Sequence, residues 1–275
     1  MDTASPSSTQ LNRRCALFTL LALSLAIAMG LLAWGPLPLT AGTHLYADAR
    51  PLGAVAHGFN ALMSLPLLLA GVWGWRALSR SDWPAALRTP WRLGYLCIAL
   101  AGALAAAYHV SPGDLGYLAA QAAGAGAFTL LSLGFLAERV DARFGSRQAC
   151  VAALGVVALA TAVSASGAMD LRPLLLLHLL PVLLIPAGAL SLPGRHTTQT
   201  DWLLMLGLYA VARLCDAGDG ALMRYTGHAL SGHALMHLGV AAMASRLAYR
   251  ASRPIEESAE DEGSTQASTS LSTSG

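Results

Sequence analysis

The chain has 275 residues, of which 55% are hydrophobic and 12% charged, with a formal net charge of +2. A soluble domain carries about 25% charged residues, so the composition excludes an ordinary soluble enzyme, and the near-neutral balance offers no basic stripe for a nucleic-acid backbone. The charge falls in short clusters between long apolar blocks, the pattern of an all-α, polytopic membrane helix bundle.

Residues 1–14 form a Ser- and Thr-containing tail, expected to be cytoplasmic. Arg13 and Arg14 then open an apolar run over about 15–34. Such a run also resembles a signal peptide, but its core exceeds the usual 7–15 residues and no clear A-x-A site follows, so it is read as an uncleaved helix. Further spans are predicted at about 54–75, 93–110, 117–137, 149–168, 171–191, 200–215 and 227–247, each bounded by Arg, Asp, Pro or Gly. A bilayer needs roughly 20 apolar residues per helix, and Asp216 and Asp219 make the seventh of these eight spans the shortest. The transmembrane domain is thus expected over 15–248. Residues 249–275, with the acidic run "EESAEDE", are expected to be a disordered cytoplasmic tail, too polar to bury a core.

Orientation follows from arginine alone, because all 17 basic residues are Arg. Arg13, Arg14, Arg76, Arg80, Arg88, Arg92, Arg139, Arg143, Arg147, Arg195, Arg246, Arg250 and Arg253 fall on one side of an eight-span layout. The opposite loops hold only Arg50, Arg172 and Arg224, so the positive-inside rule predicts both termini in the cytoplasm. Cys15, Cys97, Cys150 and Cys215 are scattered without C-x-x-C spacing and read as small buried hydrophobes rather than ligands or disulfides. The small-residue run "AAQAAGAGAF" serves close helix packing, since no strand precedes it as a phosphate loop would require.

Histidine carries the chemistry. His57, His109, His178, His228, His233 and His237 lie in or beside spans, all in the outer halves, and a polar group in lipid is costly unless paired or functional. In "SGHALMH", His233 and His237 stand one helical turn apart, close enough to share one ion. His109, ending the third span in "AAAYHVSPGD", reaches a similar depth and supplies a third ligand, leaving a fourth position to water as in catalytic zinc. The spacing alone is weak, because interhelical hydrogen bonding gives the same pattern.

"YAVARLCDAGD" followed by "SGHALMHLGVAA" resembles the last two spans of the bacterial members of the alkaline ceramidase family, part of the wider membrane-hydrolase superfamily often called CREST. The matching positions are Arg213, Asp216, Asp219 and Ser231 through His237. "YADARP" with "NALMSLPLLLAGVWGW", "AYHVSP", "ERVDAR" and "AMDLRP" are similar to other stretches of the same family, so the resemblance covers about residues 44–248. It implies a seven-helix core with an extra N-terminal span, a zinc ion held by His109, His233 and His237, and hydrolysis of the amide bond of a ceramide-like membrane lipid. The setting it implies is a bacterial inner membrane, with the metal towards the outer side.

Two departures oppose that activity. The family's Ser one turn before the first ligand histidine is Ala105 here, and its Asp about eleven residues after that histidine is Ala120. Those side chains are thought to assist the metal-bound water and the oxyanion. Gln121 could donate to an oxyanion or make an interhelical bond, and Asp114 could act as base or sit in a solvated turn. Tyr108 and Ser111 read as interfacial or capping groups. His57 and Asn60 could orient a ligand imidazole or serve helix packing. His178 reads as an interhelical hydrogen-bond partner, and His228 as a cap or access-path residue. Asp48, Asp216 and Asp219 read as partners of Arg50, Arg172 or Arg224, and no acidic N-terminal cluster points to calcium. The alternatives to a hydrolase are a catalytically impaired relative that keeps the metal for a structural or lipid-binding role, and a haem protein, which would need histidines from facing helices.

Overall fold

A computed structural model describes residues 8–167 and 169–253. Of the tail expected to be disordered over 249–275, residues 254–275 lie outside the described residues, and 249–251 instead end the last helix, with Ala251 buried in the core. The described chain is all-α. In order, it forms α1 (Ser8–Trp34), α2 (Gly58–Arg80), α3 (Ala85–Val110), α4 (Asp114–Arg139), α5 (Arg147–Ala165), α6 (Arg172–Ser191), α7 (Gln199–Ala217), the short α8 (Asp219–Tyr225) and α9 (Gly232–Ala251). Two 3₁₀ turns, Ala41–His44 and Ala142–Gly145, stand in the connections.

Six helices, α1 to α6, are long and apolar enough to cross a membrane, and the protein is a polytopic helical membrane protein. Where the seventh and eighth spans are expected the chain forms the 19-residue α7 and the 20-residue α9, but neither is among the six helices apolar enough to cross a membrane, because they carry Asp201, Arg213, Asp216, His233, His237, Arg246 and Arg250. Their helical starts are fixed locally. The Thr198 hydroxyl accepts from the Asp201 N–H at the head of α7, and Ser231 accepts from the Ala234 N–H at the head of α9.

The core is built by α2, α3, α4, α6, α7 and α9 around Trp91, Tyr95, Phe135, Trp202 and Leu247. Close approach at α2 and α3 depends on glycine: a Cβ at Gly71 would strike the Ala99 backbone, and one at Gly102 would strike Leu68. A smaller cluster, Leu118, Ala125, Val157, Ala160 and Leu174, joins α4, α5 and α6. Helix α1 packs chiefly against α6 and leaves Phe18, Leu21, Leu25 and Met29 exposed, as a span facing lipid must.

The bundle has two polar ends. At one, Glu138 and Arg139 close α4 against the loop before α7. Glu138 Oε1 accepts from the N–H of His196 at 2.6 Å and of Thr197 at 2.8 Å, and Oε2 accepts from the Thr197 hydroxyl at 2.5 Å. Arg139 donates to the carbonyls of Leu192 and Thr197, and Arg246 donates to the buried Asp201. The other end gathers the heads of α2, α4 and α9, the tails of α3 and α7, and the loop 35–57.

Candidate metal centre

His109 and Tyr108 lie in the last turn of α3, and His233 and His237 in the first turns of α9. All three histidines are less than a tenth exposed. Gly232 allows α9 to start this close to α7, since a Cβ there would run into the Cys215 carbonyl and the Asp219 backbone. The result brings together all three metal ligands expected from the sequence.

Their Nε2 atoms converge. His109 Nε2 is 3.3 Å from His237 Nε2 and 3.3 Å from His233 Nε2, and one ligand atom from each ring lies within 4.8 Å of the others. Two zinc–nitrogen bonds of about 2.0–2.1 Å at a tetrahedral angle place the nitrogens about 3.3–3.4 Å apart, which matches. Hydrogen bonding does not explain the cluster as well, because one proton on His109 Nε2 can serve only one neighbour at a time. His233 settles part of the proton assignment: its Nδ1 is 2.7 Å from Asp216 Oδ1, and a carboxylate only accepts, so Nδ1 carries the proton and Nε2 presents a lone pair. This carboxylate–imidazole pairing is the usual support of a metal-bound histidine. The residues therefore fit a metal ion, and their donor set of three imidazoles suits zinc among others.

Asp216 also pairs with Arg213 at 3.0 Å, and Asp219 accepts from the His233 N–H at 2.8 Å and the Ala47 N–H at 2.7 Å. The expectation that acidic residues here serve Arg50, Arg172 or Arg224 thus holds only for Asp48, which meets Arg50 at 2.6 Å; Arg172 pairs instead with Asp170 at 2.7 Å. Two of the three carboxylates were drawn to the centre because backbone and imidazole N–H groups lie closer than those arginines. The Arg50 side chain holds the Asp48 carboxyl below the usual carboxylate range.

His57 and Asn60 make their hydrogen bonds to the Asp48 carbonyl, at 3.5 and 3.1 Å, rather than to a ligand imidazole. They fasten the loop that roofs the centre. Gln121 donates to the Tyr117 hydroxyl, within its own helix. His178 bonds the Leu174 carbonyl of its own helix at 2.9 Å and lays its ring against Phe128, so its hydrogen bond is intrahelical rather than interhelical. His228 adopts a left-handed backbone beyond α8, and Ser111 caps α3. Ala105 and Ala120 are partly buried on α3 and α4 and bring no polar group.

What sequence reasoning missed comes from other elements. Ser64 of α2, fully buried, lies 3.4 Å from His237 Nε2 while donating to the Asn60 carbonyl at 2.9 Å. Tyr46, from the loop, sets its ring 4.2 Å from that of His233 and 5.0 Å from that of His109. Its hydroxyl donates to Tyr108 at 3.0 Å; Tyr108 meets His44 Nδ1 at 2.7 Å, and His44 Nε2 meets Asp114 Oδ1 at 2.8 Å. The directions agree: Asp114 only accepts, so His44 carries its proton on Nε2 and takes one from Tyr108 on Nδ1. Tyr108 is therefore a buried link, not an interfacial group, and Asp114, half-exposed, is the outer end of the chain. Burial, then the bond to Tyr108, pushes the Tyr46 phenol up, so it holds its proton. Only the alternation of Tyr and His around residues 44–46 and 108–109 signalled this in the sequence.

Comparisons with known protein families, with curated proteins and with solved structures gave no match for this chain.

Proposed function

We propose that this protein is a zinc-dependent membrane hydrolase that cleaves the amide bond of a ceramide-like N-acyl lipid. The observation that carries the reading is the grouping of three imidazoles, with His109 Nε2 at 3.3 Å from the Nε2 of both His233 and His237, a separation that fits tetrahedral zinc, backed by Asp216 on His233. The resemblance of "YAVARLCDAGD" and "SGHALMHLGVAA" to the alkaline ceramidase family supplies the substrate class. When bound, zinc would supply a Lewis acid for the amide oxygen and lower the pKa of water to near 7.

The chain's own residues cover the two family positions that read Ala105 and Ala120. The Ser64 hydroxyl can turn from the Asn60 carbonyl towards an oxygen held beside His237, as a donor. Tyr46, whose ring packs against those of His233 and His109, begins a hydrogen-bonded chain through Tyr108 and His44 to Asp114 at the surface, along which a proton can pass. The proposed setting is a bacterial inner membrane, with both termini cytoplasmic and the centre near the outer face, as the arginine distribution favours.

The test measures zinc and fatty-acid release from a panel of N-acyl lipids on detergent-purified protein. About one zinc per chain and release that His109→Ala abolishes would support the hydrolase. His44→Ala should then slow release by about 10²–10⁴ with zinc content unchanged. Zinc without release on any lipid would replace this reading with a second one that Ala105 and Ala120 favour, a relative keeping its metal for structure or lipid binding.

A further inference from the structure

At the end of the bundle remote from the histidines, a cavity of about 660 Å³ opens between the tail of α2 and the tail of α9. Arg76, Arg80 and Arg253 line it, with Trp73, Trp83 and Ser81. Arg50, Arg143, Arg172, Arg213 and Arg246 each meet a carboxylate closely, whereas Arg88, Arg92, Arg147, Arg195 and Arg224 make no ion pair among the described residues. Among the described residues, Arg76 and Arg80 have no such partner, and Arg253 only lies over the Tyr249 ring. Asp82 lines the cavity too but makes no ion pair with them. The cleft therefore gathers three guanidinium groups against one carboxylate, and a guanidinium fork matches the oxygens of a phosphate.

A second observation tells a lipid phosphate from a free one. Leu62, Leu65, Leu69 and Trp73 are exposed on α2 and recur at three- and four-residue steps, and Arg76 and Arg80 continue the same steps. At 1.5 Å per residue, the apolar part from Leu62 to the first arginine runs about 21 Å, close to the length of an extended acyl chain and to more than half of a bilayer core. One face of α2 thus leads an apolar track into a basic cleft, with an indole at the junction where aromatic residues favour the headgroup level.

We infer that this cleft binds the phosphate of an anionic membrane lipid, whose acyl chain lies along the Leu62–Trp73 face of α2. The inference does not rest on the hydrolase reading, since neither the cleft nor the track includes a residue of the histidine centre.

The test uses the full chain in detergent, with melting temperature and native mass spectrometry as readouts. Phosphatidylglycerol should raise the melting temperature and remain bound, and phosphatidylcholine should do neither. Arg76→Gln with Arg80→Gln should weaken retention of phosphatidylglycerol by ten-fold or more, while leaving zinc content and the lipid-free melting temperature unchanged. Arg143→Gln, at an exposed arginine already paired with Asp141, should have no effect. Leu69→Ser should weaken lipid retention as well. Equal retention of both lipids, or an equal loss with Arg143→Gln, would overturn the site in favour of general surface charge. Stabilisation by inorganic phosphate alone, unaffected by Leu69→Ser, would overturn the lipid in favour of a free anion.

Discussion

At one end of the bundle the buried carboxylates meet complementary donors; at the other, buried imidazole nitrogens face one another. Glu138 takes two backbone N–H groups and a hydroxyl, and Asp201 takes the capping bonds of α7 and the Arg246 guanidinium. His109, His233 and His237 instead turn their Nε2 atoms on a common point, and His109 Nδ1 has no partner at all. Burying a polar group is costly unless it is hydrogen-bonded, and the two ends offset that cost with different groups: carboxylates taking donors at one, imidazoles converging at the other. The Glu138 end ties helix ends together through its carboxylates, with Arg139 Nε, His196 Nδ1 and Arg246 Nε left without a hydrogen-bond partner among the described residues, whereas the histidine end groups three imidazoles that could hold a cation.

The strongest way to break this comparison is to remove a ligand. His109→Ala or His237→Ala should reduce bound metal from about one ion per chain to none, by elemental analysis, while circular dichroism shows the helices intact. The same measurement on Glu138→Leu should give the opposite result: metal retained, but stability lowered by about 3–5 kcal/mol because Arg139 and the His196 and Thr197 N–H groups lose a buried partner. If Glu138→Leu also stripped the metal, the two ends would be one cooperative unit and the distinction would fall.

Asp216→Asn sharpens the comparison within the histidine end. An amide can orient His233 with either tautomer, so metal affinity should fall by about 10–100-fold in a chelator competition rather than vanish. An unchanged affinity would reduce Asp216 to a partner of Arg213. The smallest effect concerns acid. Hydrogen bonds from the Arg172 side chain hold Asp170 down at about 2, below the ordinary carboxylate value of about 3.9. A depressed carboxylate contributes stability above its unfolded pKa and loses it as the pH falls through the folded one. The Asp170 contribution should therefore be flat above about pH 4 and disappear towards pH 2, and Asp170→Asn should erase that slope in thermal melts.

Much of the histidine end was legible because its signals are local. His233 and His237 are one turn apart on a helix whose cap, Ser231, is also local, and His109 ends a span that runs the other way. The supporting groups were not legible, because hydrogen bonds depend on which elements meet. Ser64 and His237 are 173 residues apart, and His44 and Asp114 are 70 apart. His57 and Asn60 had the right residue types and the right depth, yet the loop carbonyl of Asp48 lies nearer to them than any ligand ring. The Glu138 end left even less trace, because Glu138 and Arg139 read as an ordinary charged helix terminus until the loop 192–198 folds over them.

By itself, the sequence determined that this is a membrane protein of apolar helices, where those helices fall, and that three histidines reach one level; composition and periodicity carry that information residue by residue. Only the tertiary structure decided which carboxylate holds His233, which hydroxyl stands beside His237, and that Tyr46 and His44 link the centre to the surface. Backbone hydrogen bonds close within each helix, but side-chain partners are chosen by proximity between segments far apart in the chain, and in a bundle short of water each polar group settles on whichever partner packing brings within reach.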